Sequence, residues 1–421
     1  MKQARTCSGW RDACPARDTG ANHLSSVAGD KKLKEMIMKE KEHNSMWKVP
    51  LFELNYDERE REAVTDVLAS GWITMGECTQ AFERGFMEFL GEGALATAVS
   101  SGTAALHMAM LALGIGPGDE VIVPALTFIA DVNVVNMAGA VPVTADCASF
   151  NDWNIDPTDV ERKITPRTKA VLIVHYAGYP CDMGALGAMC RERGLYLIED
   201  CAHSPGATYR GQSCGTFGDV ACFSFFTNKN LSVGEGGMFV TRDEGLHQKG
   251  RYLRSHGMST LTLDRHRGSA VSYDVLRPGL NYRIDEMRAA LGTVQLGKLE
   301  AANKERRRMT ERYHGALSSI RGISIPFLDH DDSLPSYHIY PVLLNEGIDR
   351  LAVIESLKQR HIQSSIHYPS FKEFTAYRED LSRYATPIAD EISRRELTLP
   401  LYPTMGFDAV DLVANALEDA L

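Results

Sequence analysis

From about residue 95 onward, apolar and polar positions follow two alternating rhythms. Short apolar runs rich in β-branched residues have the length and composition of buried strands: EVIVPALT, AVPVTAD, AVLIVHYAG, LYLIED, VACFSFF and GMFVT. Between them lie stretches with helical patterning: TAALHMAMLALG, FIADVNVVNMAG, DPTDVERKI and DMGALGAMCRERG. Strand and helix in turn imply a mostly parallel sheet covered by helices on both faces, an α/β fold. Sheets of this kind bind ligands beyond the carboxyl ends of their strands. Thr127, His175, Asp200 and His203 fall at such ends.

The pattern changes on either side of this block. Upstream, VPLFELNYDEREREAVTDVLASG reads as an extended start followed by an amphipathic helix closed by Gly71. Downstream of about residue 290, the long charged helix AALGTVQLGKLEAANKERRRMTERYHGAL leads into shorter strands, SYHIYPVLL and SSIHYP, mixed with helices. The chain therefore divides into a large domain over 48–290 and a smaller α+β domain over 291–421. Residues 1–47 are polar, carry the run DKKLKEMIMKEKEH, and read as a weakly ordered extension.

Composition narrows the function classes. A net charge of −10, from 45 basic and 55 acidic residues, argues against nucleic acid as a partner. No apolar run approaches the length of a membrane span, and the polar amino terminus lacks a signal-peptide core. Nine scattered cysteines, an odd number, suit reduced thiols in a cytoplasm better than a disulfide framework. Spacing typical of metal ligands is missing, and Cys201, Cys214 and Cys222 read as small buried side chains.

The stretch SFFTNKNLSVGEGG sets a single lysine, Lys229, between aromatic residues and a glycine run. Apolar surroundings disfavour the ammonium form, and a neutral amine attacks aldehydes to form a Schiff base, the anchoring chemistry of pyridoxal phosphate. That cofactor also needs a phosphate cradle, an acid at its pyridine nitrogen and a flat cover for its ring. SSGTAALHMAML places Ser101, Gly102 and Thr103 at a helix start, where amides and dipole favour a phosphate. LYLIEDCAHS puts Asp200 at the end of a buried strand, PALTF offers Phe128, and Ser224 lies five residues before Lys229. Each feature alone has a plainer reading as a cap, a core ring or a strand hydroxyl. Their order along the chain is what makes them specific.

With SGWITMGECTQAFE, LIEDCAHSPGATYRG, GLNYRIDEMRAALGTVQL, SIHYP and LTLPLYP, these segments resemble the DegT/DnrJ/StrS family of pyridoxal-phosphate-dependent sugar aminotransferases, of fold type I. The match runs from about Val49 to the carboxyl terminus. The resemblance implies that Lys229 carries pyridoxal 5'-phosphate as a Schiff base and Asp200 contacts the pyridine nitrogen. It places His203 near the ring hydroxyl, Gly102, Thr103 and Ser224 on the phosphate, and Phe128 over the ring. It implies a homodimer with shared active sites, in which Asn281 of GLNYR reaches the partner's phosphate. Trp72 and Thr74 fall where the family contacts the sugar, and His367 and Tyr368 in a segment that approaches substrate. The implied reaction moves an amino group from an amino acid, usually L-glutamate, to a keto sugar. The usual acceptor is a nucleotide-linked 4-keto-6-deoxy sugar, with 3-keto sugars and keto-cyclitols as alternatives.

Two other readings compete, and a third is weaker still. A branch that dehydrates sugars replaces the Schiff-base lysine by histidine, whereas Lys229 is present. A non-catalytic, regulatory relative would be expected to have lost part of the cofactor constellation, and none is missing. A nicotinamide enzyme is disfavoured because no G-x-G-x-x-G follows the first strand. The segment LDRHRGSAVSYDVLRPG, with Arg265, His266, Arg267 and Arg277, is either a loop that meets a diphosphate or a solvated basic loop.

Overall fold

The computed structural model describes residues 46–260, 268, 272–330, 332–381 and 384–421. The extension placed over 1–47 falls outside them except for its last two residues, and Arg265, His266 and Arg267 of the basic loop also fall outside.

The apolar runs become the strands β1 (Leu95–Val99), β2 (Glu120–Pro124), β3 (Val141–Ala145), β4 (Thr168–Val174) and β5 (Tyr196–Asp200). After the two-residue strands β6 (Thr208–Tyr209) and β7 (Gln212–Ser213) come β8 (Val220–Ser224) and β9 (Gly237–Thr241). Seven of them form one sheet in the order β1-β9-β8-β5-β4-β2-β3. All pairs from β3 across to β8 are parallel, and β9 runs against both of its neighbours. Strands buried on both faces, such as β2, explain the unbroken apolar runs of the sequence. β4 and β8 end sooner than their runs did: the chain turns at Tyr176–Gly178 after Val174, and leaves the ladder at Phe225 after Ser224.

Helices α1 (Glu58–Ser70), α2 (Glu77–Leu90), α3 (Gly102–Leu113), α4 (Ala130–Met137), α5 (Pro157–Lys163), α6 (Met183–Arg193) and α7 (Glu244–Arg254) precede or link these strands. As read from sequence, α1 closes on Gly71, which takes the left-handed backbone. α3 is apolar on nearly every side, from Ala104 to Leu113, and its burial against β8 and β9 fixes where its first turn points.

The 32-residue helix α8 (Glu286–Leu317), about 48 Å long at 1.5 Å per residue, leads out of this layer. The boundary read at residues 290–291 lies inside it, and Trp47–Leu421 form one compact unit. Beyond it β10 (Ile323–Ser324), β12 (Tyr340–Leu344) and β13 (Glu396–Leu399) make a second, antiparallel sheet, while β11 (Ser333–Leu334) joins β6 and β7. Tyr313, Leu343, Leu397 and Val413 build the core behind that sheet. SSIHYP, read as a strand, contributes only the isolated bridge Ser365–Thr398. The amide of His367 is taken by the Glu396 side chain, and Pro369 has no amide to offer a ladder.

No helix among the described residues is long and apolar enough to cross a membrane. The described cysteines are free thiols, and Cys201, Cys214 and Cys222 are buried.

Candidate active site

A cavity of about 370 Å³ opens at the carboxyl edge of the central sheet. Gly102, Thr103, Phe128, Asp200, His203, Ser224, Lys229, His367 and Tyr368 all line it. They arrive from five separate segments. The parallel strands β2, β5 and β8 end here, α3 begins here, and the segment before β13 closes one side.

The start of α3 forms one end of the cavity. Ser101 caps the helix by accepting from the Ala104 amide, and the Ala105 amide bonds the Ser101 carbonyl. The amides of Gly102 and Thr103 make no hydrogen bond among the described residues and stay available for an anion. Two glycines allow this packing. A Cβ on Gly102 would lie 2.8 Å from the Cβ of Ser224, so only glycine lets the Ser224 hydroxyl come against the helix start. A Cβ on Gly237 would lie 2.5 Å from the Ser101 carbonyl, which is why GEGG follows the loop.

Lys229 stands in the turn between β8 and β9, half-buried, with its amide bonded to the Phe226 carbonyl. Removal from water lowers its amine to about 8, against a smaller opposing pull from Asp200. Asp200 is buried, accepts from the Ala202 amide at 2.8 Å, and is raised by burial, with the Ala202 bond and the Lys229 charge working the other way. The lysine amine also lies 3.5 Å from Nε2 of His338. Asn230 donates through its amide nitrogen to Asn303 and to the Ser336 carbonyl, so its oxygen accepts from Nδ1 of His338 at 2.9 Å. That leaves the Nε2 lone pair of His338 facing Lys229.

His203 is fixed in the complementary form. Its Nδ1 accepts from the Ala177 amide, so Nε2 carries the proton and donates to the Tyr368 hydroxyl at 2.8 Å. The Tyr368 hydroxyl is then free to donate into the cavity. His367 bonds Thr398 through Nδ1, and burial lowers it to about 3, so it is a neutral group at ordinary pH. Phe128 is 54% exposed at the cavity wall, with its ring 5.7 Å from that of Tyr368. A large apolar ring this exposed inside a pocket is a ready cover for a flat ligand.

Three sequence candidates stand elsewhere. Trp72 lines a different cavity, of about 590 Å³, between α1, α2 and α8. Thr74 is exposed just before α2, and Asn281 is exposed on a segment bridged to Ser255. His175 and Cys201 come within 4.8 Å of Glu199 with their donor atoms. The Glu199 carboxylate, though, is already engaged by the amides of Gly215, Phe217 and Gly218 and by His175, so the cluster fastens the loop after β7.

Sequence reasoning missed His338 and Asp131. Asp131 interrupts the apolar run FIADVNVV together with Asn133, and His338 opens the run HIYPVLL; a polar position in or beside an apolar segment is the available signal.

Residues 55–418 match the model of the DegT/DnrJ/EryC1/StrS aminotransferase family. The chain is 39% identical over 394 residues to the spore coat polysaccharide biosynthesis protein SpsC of Bacillus subtilis, covering 91% of this chain and 98% of that protein. Among solved structures it is similar to the aminotransferase TlmJ from Streptoalloteichus hindustanus, with a TM-score of 0.82 and 33% identity, over 89% of this chain and 98% of that one. DesV of S. venezuelae, solved in complex with a ketimine intermediate, aligns with a TM-score of 0.81 and 34% identity over 88% and 98% of the two chains.

Proposed function

The chain belongs to the DegT/DnrJ/EryC1/StrS aminotransferase family, and on that premise we propose that it transfers an amino group from L-glutamate to a keto sugar, with pyridoxal 5'-phosphate held on Lys229. The acceptor we favour is a nucleotide-linked 4-keto-6-deoxy sugar. The observation that carries this reading is the meeting of a partly neutral lysine amine, a buried carboxylate and two free helix-terminal amides in one cavity.

The donor set fits the cofactor. The Gly102 and Thr103 amides with the Thr103 and Ser224 hydroxyls match a phosphate, and the gap left by the missing Gly102 side chain admits Ser224 to that set. Bound there, pyridoxal phosphate supplies an aldehyde for Lys229 and a ring that accepts electrons. Asp200 holds the proton of the ring nitrogen and so keeps the ring electron-poor. His203 fixes Tyr368, which donates a hydrogen bond into the cavity, and Phe128 covers the ring and excludes water from one face. Lys229, freed when the donor's amine takes its place, would take up the donor's Cα proton and hand it back, with His338 accepting from its amine.

Asn281 is exposed and lies away from its own chain's cavity, which suits a residue that serves the site of a partner in a homodimer. Trp72 and Thr74 are proposed to meet the sugar. The intact cavity favours an enzyme over a binding protein that retains only the fold, and Lys229 favours transfer over dehydration. A 3-keto sugar or keto-cyclitol is the alternative acceptor.

The test is spectroscopic. Protein loaded with pyridoxal phosphate is treated with L-glutamate alone, and the cofactor band shifts as the amino group is taken up. Keto sugars and keto-cyclitols are then added singly, and the true acceptor restores the original band. A spectrum that no amino acid alters overturns the transferase reading.

A further inference from the structure

Asp131 is the second residue of α4, between Ala130 and Val132, and is completely buried. Its Oδ2 accepts from the hydroxyl of Thr127, four residues earlier, while Oδ1 receives no ordinary donor. The neighbouring group that acts on it is a second carboxyl, that of Asp200, on the cavity wall that Thr127 and Ala130 share with it. Two neighbouring carboxylates shielded from water do not both stay ionised, so the pair holds a proton.

The surroundings decide which oxygen keeps it. Asp200 receives the Ala202 amide and faces the Lys229 amine and His175, all of which favour its anion. Asp131 has one hydroxyl donor, and Cys222 and Tyr368 from β8 and the segment before β13 are the other titratable groups near it. We propose that Asp131 is a neutral carboxylic acid whose O–H donates to Asp200, holding Asp200 as the single oriented anion of the cavity: a positioning residue that acts on the cofactor through Asp200. Burial and the Asp200 charge push Asp131 well above the usual carboxylate range, and its hydrogen bond draws Asp200 downward. The role at the cofactor rests on the proposed seating of the pyridine nitrogen at Asp200. The position of the proton does not.

Two measurements separate these. The first uses apoprotein. An infrared spectrum of the wild type at neutral pH should show the carbonyl stretch of a buried, protonated carboxyl that Asp131→Asn removes. Its absence from the wild type, or its loss from Asp200→Asn but not from Asp131→Asn, overturns the proposal. The second is the dissociation constant of pyridoxal phosphate. Asp131→Ala should weaken binding roughly tenfold or more, the worth of a hydrogen bond to a charged group. Asn copies the shape of a neutral carboxyl, accepting from Thr127 and donating to Asp200, so Asp131→Asn should regain the wild-type constant. If Asn is as weak as Ala, Asp131 acts through charge and the proposal fails. If wild-type protein does not bind the cofactor at all, the functional reading falls while the infrared result still locates the proton.

Discussion

Nζ of Lys229 and Nε2 of His338 face each other at 3.5 Å, from elements 109 residues apart in the chain. Because Asn230 holds the other ring nitrogen of His338 as a donor, the imidazole meets the amine with a lone pair. His338→Ala removes that acceptor while leaving Lys229 in place. The rate at which Lys229 captures pyridoxal phosphate, followed by borohydride reduction and peptide mapping, should fall roughly tenfold. An unchanged rate would make the contact mere packing.

Capture should also follow pH through the amine itself. With its amine lowered to about 8, Lys229 has roughly a tenth of its molecules neutral at pH 7, and more as pH rises. The rate of cofactor capture should climb with pH and level off above about 8. Levelling only near the ordinary lysine value of 10.5 would show that the cavity does not desolvate the amine.

The same burial carries a cost in stability. For Lys229 the folded value, about 8, lies below the unfolded 10.5, so the unfolded chain binds more protons between them. The penalty is complete below about 8, fades as pH rises, and is gone above 10.5. Lys229→Met should therefore be more stable than the wild type by on the order of 2 kcal/mol at neutral pH, discounted for water in the cavity. Denaturant titrations at pH 7 and pH 10 should show the gap closing. A variant less stable at pH 7 would refute the account.

Much of how the candidate site's residues come together is legible in the sequence, and the reasons are local. Asp200 ends the apolar run of β5, and Lys229 is the one basic residue in the turn that follows β8, where parallel sheets expose their functional edge. SGT could be placed at a helix start because the apolar stretch after it has helical length. His338 and Asp131 were hidden because their partners lie far away in sequence or are themselves acids, and no spacing rule connects Asp131 to Asp200. SSIHYP has strand composition, yet bonds to the side chains of Glu396 and Thr398 hold His367 in place of a ladder.

Gly102→Ala tests the phosphate cradle. The added methyl would come within 2.8 Å of the Ser224 Cβ and 3.2 Å of its Cα, so the strand end or the helix start must move. The dissociation constant for pyridoxal phosphate should rise by one to two orders of magnitude, roughly 1.4–2.8 kcal/mol. Inorganic phosphate should protect the wild-type protein from thermal unfolding more than the variant. Equal protection would place the phosphate elsewhere.

Shared sites are testable by mixing defects. Lys229→Ala and Asn281→Asp should each give weak homodimers at limiting cofactor. In a purified hybrid, an asparagine that serves the partner's site leaves one site with both defects and one with neither, so activity reappears at about half the wild-type level per dimer. A hybrid no better than its parents means that Asn281 works within its own chain.

The carboxylate of Glu286, at the head of α8, accepts from the amides of Gly76, Cys78 and Thr79 at the start of α2. Trp72 and Thr74 lie just ahead of that clamp on one side, and Asn281 lies five residues ahead of it on the other. Two stretches more than two hundred residues apart are thus riveted into one part. For anyone recombining this chain with a relative, they form a single unit of exchange: a crossover between them splits a matched pair, and the loop proposed to meet the sugar should be transplanted together with Glu286.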